Sequence, residues 1–245
     1  MGGKSKLRKK IVSLFPNINE YDIFVEPFVG SGQIMLEILP DIYVTKQIII
    51  NDKNKDIYYM WKDLISTKKT GIEHFDWRGD KELYQKLKKK NKFDSTEERF
   101  YRNFYISIHS FSGCRDGGYS YKSKNRGKQF FDNMEILRSY LKKIKIFNKD
   151  YKNIVNNYDS ERTLFYFDPP YLEKEHLYEN QKIDPIDMLE ICKSIKGYFI
   201  LSYNCDKRIS NLFQNFFIRK VKIRYTSSSN NKKYKYEYII SNFKI

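Results

Sequence analysis

A chain of 245 residues with 46 Lys and Arg against 30 Asp and Glu carries a formal charge of +16, which predicts attraction to polyanions, nucleic acid foremost. Hydrophobic residues make up 40% of it, with 21 Tyr and 18 Phe, enough for a sizeable core, yet no apolar run approaches the roughly 20 residues of a membrane span. Cys114, Cys192 and Cys205 are odd in number and scattered, and His74, His109 and His176 are equally dispersed, so neither a disulfide framework nor a metal site is expected.

The N-terminus, Met1 to Lys6, is basic with no apolar stretch behind it, so a secretory signal is not expected and a soluble, cytoplasmic protein is the default. From Lys4 to Phe15 apolar residues recur at helical spacing up to Pro16. Asp22 to Val25 is a brief strand, which breaks into Glu26-Pro27-Phe28-Val29-Gly30-Ser31-Gly32 before a helix from Gln33 that Pro40 is expected to stop. A second strand, Lys46 to Asp52, is followed by an amphipathic helix, Asp56 to Ile65. This βαβα rhythm is the opening of a doubly wound sheet.

The rhythm is interrupted from about Thr67 to Lys145. Helices are expected over Lys81–Lys90, Thr96–Ser110 and Asn133–Lys143, with a loop rich in Gly, Ser, Tyr and cations between Ser112 and Phe131. The pattern then resumes with strand Ile144–Phe147, helix Tyr151–Asn157 and the buried strand Leu164–Phe167. Helix Pro185–Ile195, strand Tyr198–Ser202 and helix Asp206–Phe213 follow. Phe217–Tyr225 and Lys235–Ile240 alternate and read as a closing antiparallel hairpin across Thr226–Asn231.

Four features carry chemistry. The turn Glu26 to Gly32 sits between a strand and a helix, where two glycines let a ligand approach the backbone, although the full dinucleotide fingerprint is missing. Asp52 ends the next strand about 20 residues on, the position of a ribose-binding acid, so the ligand is expected to contain a nucleoside. Asp168-Pro169-Pro170-Tyr171 closes a run of apolar residues at a sheet edge. An exocyclic amine on an aromatic base is a poor nucleophile because its lone pair is delocalised into the ring. A carboxylate and a carbonyl that accept its two N–H bonds pull the nitrogen toward a tetrahedral geometry, and Asp168 and the Pro169 carbonyl are such a pair. Tyr171 offers a face on which the base stacks. In the basic loop, Arg115, Tyr119, Tyr121, Lys122, Lys124, Arg126 and Lys128 interleave cations with aromatics around Gly117-Gly118, a composition suited to phosphates and guanine edges.

In these motifs and their order the sequence resembles the Dam-type S-adenosylmethionine-dependent DNA adenine N6-methyltransferases. Gly2-Gly3-Lys4, the turn after Glu26-Pro27, Asn51-Asp52, Phe111-Ser112, Asp168 to Tyr171 and Glu237 to Ile240 fall in the family's sequence of motifs. The resemblance implies a Rossmann-like α/β methyltransferase fold, its sheet mostly parallel with a C-terminal antiparallel hairpin. Residues 1–66 and 146–245 would form the catalytic domain, and 67–145 an inserted, mainly helical subdomain that recognises the DNA target. Gly3, Lys4, Glu26, Pro27, Phe28, Gly30, Gly32, Asp52 and Asp168 would hold S-adenosylmethionine. Asp168, Pro169, Pro170 and Tyr171 would be catalytic, and Arg115, Tyr119, Tyr121, Lys124, Arg126 and Lys128 would bind DNA. The expected partner is double-stranded DNA, met by a monomer without metal or membrane, in the setting of restriction-modification.

Two positions depart from the family pattern. The aromatic residue usually found four positions before the lysine would fall ahead of Met1. Asn125-Arg126-Gly127 replaces a common Pro-Phe-Gly, so the familiar GATC target is not carried over. The competing readings are a methyltransferase of RNA or another planar amine, and a catalytically inactive DNA-binding relative. A cytosine C5 enzyme is disfavoured, since no cysteine follows a proline here to serve as its thiol nucleophile.

Overall fold

Strands and helices alternate along the chain where the apolar spacing switches between period two and period 3.6. The computed structural model describes residues 4–110, 118–120, 126–170, 183–224 and 234–245. Its elements in order are α1 (Lys4–Val12), β1 (Ile23–Glu26), α2 (Gln33–Ile42), β2 (Gln47–Asn51), α3 (Lys55–Ser66), α4 (Lys81–Lys89), α5 (Thr96–His109) and α6 (Arg126–Leu141). Then come β3 (Lys145–Phe147), α7 (Tyr151–Tyr158), β4 (Thr163–Phe167), α8 (Pro185–Ser194), β5 (Tyr198–Asn204), α9 (Lys207–Leu212), β6 (Phe217–Arg224) and β7 (Tyr234–Ser241).

The strands form one sheet in the order β3-β2-β1-β4-β5-β7-β6. β1 to β5 are parallel, with Val25 opposite Ile49 on one side and Phe165 on the other. β7 runs antiparallel between β5 and β6, so the closing hairpin is inserted into the sheet edge rather than appended to it. Helices cover both faces, and each central strand is accordingly apolar on both: all five residues of β4 are buried. Successive strand residues feed opposite cores. Phe24, Ile48 and Leu164 pack with α1, α2 and α3, while Val25, Ile49 and Phe165 pack with α7, α8 and α9.

Helices α4, α5 and α6 lie between α3 and the edge strand β3, and α5 is fastened to α3 by charge. Arg99 donates to both oxygens of Asp63 at 2.7 and 2.8 Å. Arg102, wholly buried, donates to Asp56 Oδ2 at 2.8 Å, to the Leu87 carbonyl at 3.1 Å and to Asn103 Oδ1 at 2.7 Å. Two expectations are corrected. Pro40 does not stop α2 but lies in its last turn. Buried Leu39 and Ile42 hold that turn down, and Tyr43 N–H still reaches the Leu39 carbonyl at 3.0 Å. The basic loop is shorter than its composition suggests, because α6 already begins at Arg126. Phe130 and Phe131 anchor that first stretch, with ring centroids 4.2 Å from Phe104 and 5.2 Å from Trp77 respectively.

Candidate active site

The strand order creates the site. The chain steps from β1 outward to β2 and β3, then returns to the other side of β1 with β4 and continues to β5, so the crossovers reverse between β1 and β4. A doubly wound sheet opens its ligand crevice at that reversal, at the C-terminal strand ends. The turn after Glu26 and the Asp168-Pro169-Pro170 segment are the two strand ends that meet there.

The turn is held from below by specific groups. Gly30 and Gly32 take left-handed conformations, with φ of 47° and 64°. A side chain on Gly32 would also collide, since its Cβ would come within 2.5 Å of the Trp61 ring. The Trp61 indole N–H in turn donates to the Gly30 carbonyl at 2.9 Å. Asp52 closes the arrangement from β2. Its Oδ2 accepts the Gly30 N–H at 3.0 Å, and its Oδ1 accepts the Asn54 N–H at 2.9 Å, just before Asn54 caps α3. Burial pushes the Asp52 carboxyl up to about 6, although both N–H groups pull it the other way.

Glu26 is more deeply buried and accepts the Met35 N–H in the first turn of α2 at 3.0 Å. Burial raises its carboxyl well above the ordinary range, and the negative fields of Asp168 and Asp52 add to that. Asp168 is half-buried at the end of β4, followed by buried Pro169 and half-buried Pro170. Glu26 therefore lies within electrostatic reach of both Asp168 and Asp52, and such an acidic cluster favours a positively charged ligand nearby.

Beside them a cleft of about 340 Å³ is lined by Pro27, Phe28, Asn51, Asp150, Tyr151 and Ile183, among others. The Asn51 side chain donates to the carbonyls of Pro27 and Lys149, both at 3.0 Å, and accepts the Lys149 N–H at 2.8 Å, tying the loops after β1 and β3 together. The Phe28 ring lies 5.2 Å from that of Tyr151 and 6.4 Å from that of Phe167. The Tyr151 hydroxyl is buried there with no hydrogen-bond partner among the described residues, and burial pushes its ionisation upward. An orphaned hydroxyl beside a pocket of aromatic and apolar groups fits a ligand that carries both an aromatic ring and polar edges.

The structure therefore brings Glu26, Pro27, Phe28, Gly30, Gly32, Asp52, Asp168, Pro169 and Pro170 to one sheet edge. Asn51 joins them beside Asp52, and so do Asp150 and Tyr151, which the sequence reading did not assign to the site. The available signal was Asn148-Lys149-Asp150, which follows β3 as Asn51-Asp52 closes β2. Gly3, Arg115, Tyr121, Lys124 and Tyr171 lie outside the described residues, as do the side chains of Lys4, Arg126 and Lys128. Tyr119 is half-buried, its ring 5.7 Å from Tyr84 within the insert. Among the described residues no group of His, Cys, Asp and Glu is arranged to hold a metal ion. None of the described helices is long and apolar enough to cross a membrane.

Comparison with known proteins assigns these features to a family. The family model of D12 class N6 adenine-specific DNA methyltransferases matches residues 1–227. The Type II methyltransferase M.MjaIII of Methanocaldococcus jannaschii is 27% identical over 288 aligned residues, covering 99% of this chain and 96% of that protein. The Type II methyltransferase M1.LlaDCHI of Lactococcus lactis subsp. cremoris is 25% identical, covering 93% of this chain and 87% of that protein. With its glycine turn, acidic strand ends and Asp-Pro-Pro segment gathered at one crevice, the chain belongs to the D12 class of N6 adenine-specific DNA methyltransferases.

Proposed function

We propose that Asp168 and the Pro169 carbonyl hold the N6 amine of an adenine extruded from duplex DNA while it is methylated. The family supplies the reaction, adenine N6 methylation from S-adenosylmethionine. The observation that carries the residue roles is the meeting of Asp168 with Glu26 and Asp52 at the switch point of the sheet. S-adenosylmethionine, when bound, supplies an electrophilic methyl group on a positively charged sulfur, and the acidic crevice suits that charge. Asp52 accepts from its ribose, the Gly30–Gly32 backbone lets it approach closely, and Phe28 and Tyr151 wall its base.

Asp168 accepts one N–H of the target amine, the Pro169 carbonyl accepts the other, and both draw the nitrogen lone pair out of the ring. The carboxylate is also placed to take the proton that the amine sheds. Catalysis then depends on orientation and on a polar cradle that needs no reorganisation. Neither proline has an N–H to donate, so the carbonyl between them has no competing local donor of its own. Residues 67–145 form the target-recognition insert in this reading, with the basic stretch from Arg115 to Lys128 set against the DNA. A duplex-DNA substrate fits an intracellular enzyme.

Expression in a host without adenine methylation, followed by sequencing of modified bases, tests this assignment. The wild-type chain should leave N6-methyladenine within one short recurring sequence. Asp168→Ala should reduce methylation by at least about 10²-fold while its thermal unfolding stays within about 2 °C of wild type. Near-normal methylation by that variant would remove Asp168 from the mechanism.

A further inference from the structure

The closing hairpin carries a pattern that the catalytic reading does not use. Along the β6–β7 ladder, Lys220 stands opposite Tyr238, Lys222 opposite Tyr236 and Arg224 opposite Tyr234. At Lys220–Tyr238 and Lys222–Tyr236 a cation thus faces a tyrosine at alternate positions, which places these two pairs on one side of the strand pair. At the sheet end of this row Tyr238 is half-buried, its hydroxyl against Cys205 and Ser210. Further out Tyr236 is 42% exposed, with the Lys220 ammonium 4.5 Å from its ring centroid. Lys220 and Lys222 are both exposed.

The register fixes where this row lies. Phe167 is level with Leu201, and Ser202 with Ile239, so Tyr236 lies three residues beyond the level of Asp168 on the catalytic edge. At about 3.3 Å per residue and about 4.8 Å per strand, with two strand steps from β4 to β7, Tyr236 is roughly 14 Å from Asp168. That is the axial length of about four base pairs. The row is on the β5 side of the catalytic strand, whereas the insert attaches through α3 on the β2–β3 side. Charges on an edge strand discourage edge-to-edge pairing, which explains lysines on β6. It does not explain the tyrosines opposite Lys220 and Lys222 on β7, which is not an edge strand.

We propose that this face of the β6–β7 hairpin is a second DNA contact, in which Lys220, Lys222 and Tyr236 hold the phosphate backbone of the duplex flanking the target, on the side away from the insert. The inference rests on DNA as the substrate and adds a surface outside the methyl-transfer site. Lysines and a tyrosine hydroxyl are backbone-positioning groups, so the contact contributes affinity and register without reading sequence.

The test is the salt dependence of binding to a fluorescein-labelled duplex. In a Lys220→Gln/Lys222→Gln variant, the slope of log K against log salt should shrink by about 1.8, the value for two lost phosphate contacts. Tyr236→Ala should weaken binding a few-fold, roughly 2- to 10-fold, at a single salt concentration. A control variant, Lys196→Gln/Lys244→Gln, removes the same charge from exposed positions at the opposite edge of the sheet and should leave the slope unchanged. Cofactor affinity, read by calorimetry, should be the same in all of them. A slope for the hairpin variant within about 0.5 of wild type, or an equal fall in the control, overturns the proposal and leaves the catalytic reading standing. Wild-type protein that binds no duplex at any salt overturns both.

Discussion

Asp52 has both carboxylate oxygens engaged by backbone N–H groups before any ligand arrives, from Gly30 at 3.0 Å and from Asn54 at 2.9 Å. Each oxygen keeps a lone pair, so the same carboxylate can shape the glycine turn and still accept from a ribose. Burial sets its titration near 6 against an ordinary 3.8. The folded chain therefore holds this proton more tightly than the unfolded chain does. The stability contributed by protonation is complete below about pH 3.8 and is lost as pH rises through about 6, a difference on the order of 3 kcal/mol. Cofactor affinity should run in the opposite direction, because the ionised carboxylate is the better acceptor and the better partner for a cation. Calorimetric titration with S-adenosylmethionine from about pH 8 down to about pH 5 should show affinity falling by up to tenfold per unit below 6. A flat profile would remove Asp52 from the ribose role. Asp52 was legible in the sequence because it ends a strand at a known distance from a glycine turn. Tyr151 was not, because nothing local in the chain brings it to Phe28. Their contact exists only because β3, β2 and β1 lie in that spatial order.

Among the elements, α5 carries a buried charged clamp. The buried Arg102 guanidinium joins Asp56 of α3 to the carbonyls that end α4, at Leu87 and Lys88. Asp56 N–H is itself capped by Asn54, whose N–H is held by Asp52, so one run of hydrogen bonds passes from the glycine turn to the insert. Arg102→Met would take the guanidinium away from those carbonyls and from the Asp56 carboxylate, at a cost of roughly 3 kcal/mol or more. The melting temperature should fall by at least about 6 °C in a chain of this size. Lys193→Met, which breaks only the exposed pair with Glu190, should move it by less than about 2 °C. Equal shifts in the two variants would show that the buried clamp is not what secures α5. The helices themselves could be read from apolar spacing, since α4 and α5 begin and end within a residue of expectation. The start of α6 could not. Gly127 and the surrounding cations are poor helix signals, and packing of Phe130 and Phe131 on Trp77 and Phe104 overrides them.

For the whole molecule, the insert is less separable than its place in the chain suggests. Ile72, Phe100, Met134 and Leu141 of the insert belong to the same core as Ile34, Ile48 and Leu164 of the sheet. Among the described residues, the cluster around Tyr84, Tyr101 and Tyr105 is the insert's own. The chain has two tryptophans, Trp61 in α3 and Trp77 in the insert, and they give one reporter for each part. In each of the Trp61→Phe and Trp77→Phe variants, the fluorescence of the remaining tryptophan should unfold in urea with the same midpoint as that variant's circular dichroism. A separate, earlier transition at Trp77 would make the insert an independently folding unit.

The same topology determines the order in which the protein can be assembled as it is made. β1 gains one neighbour from β2 soon after it is synthesised, but its other neighbour is β4, with Ile23 opposite Thr163. At ordinary translation rates the 140 positions from Ile23 to Thr163 take roughly 7 to 28 s to appear. Throughout that interval Phe24 and Val25, at the centre of the finished sheet, stand on an open edge. The strand that brings Asp168 is also the strand that covers them, so a nascent chain that stops short of it lacks the active site and presents an unpaired apolar edge to its surroundings.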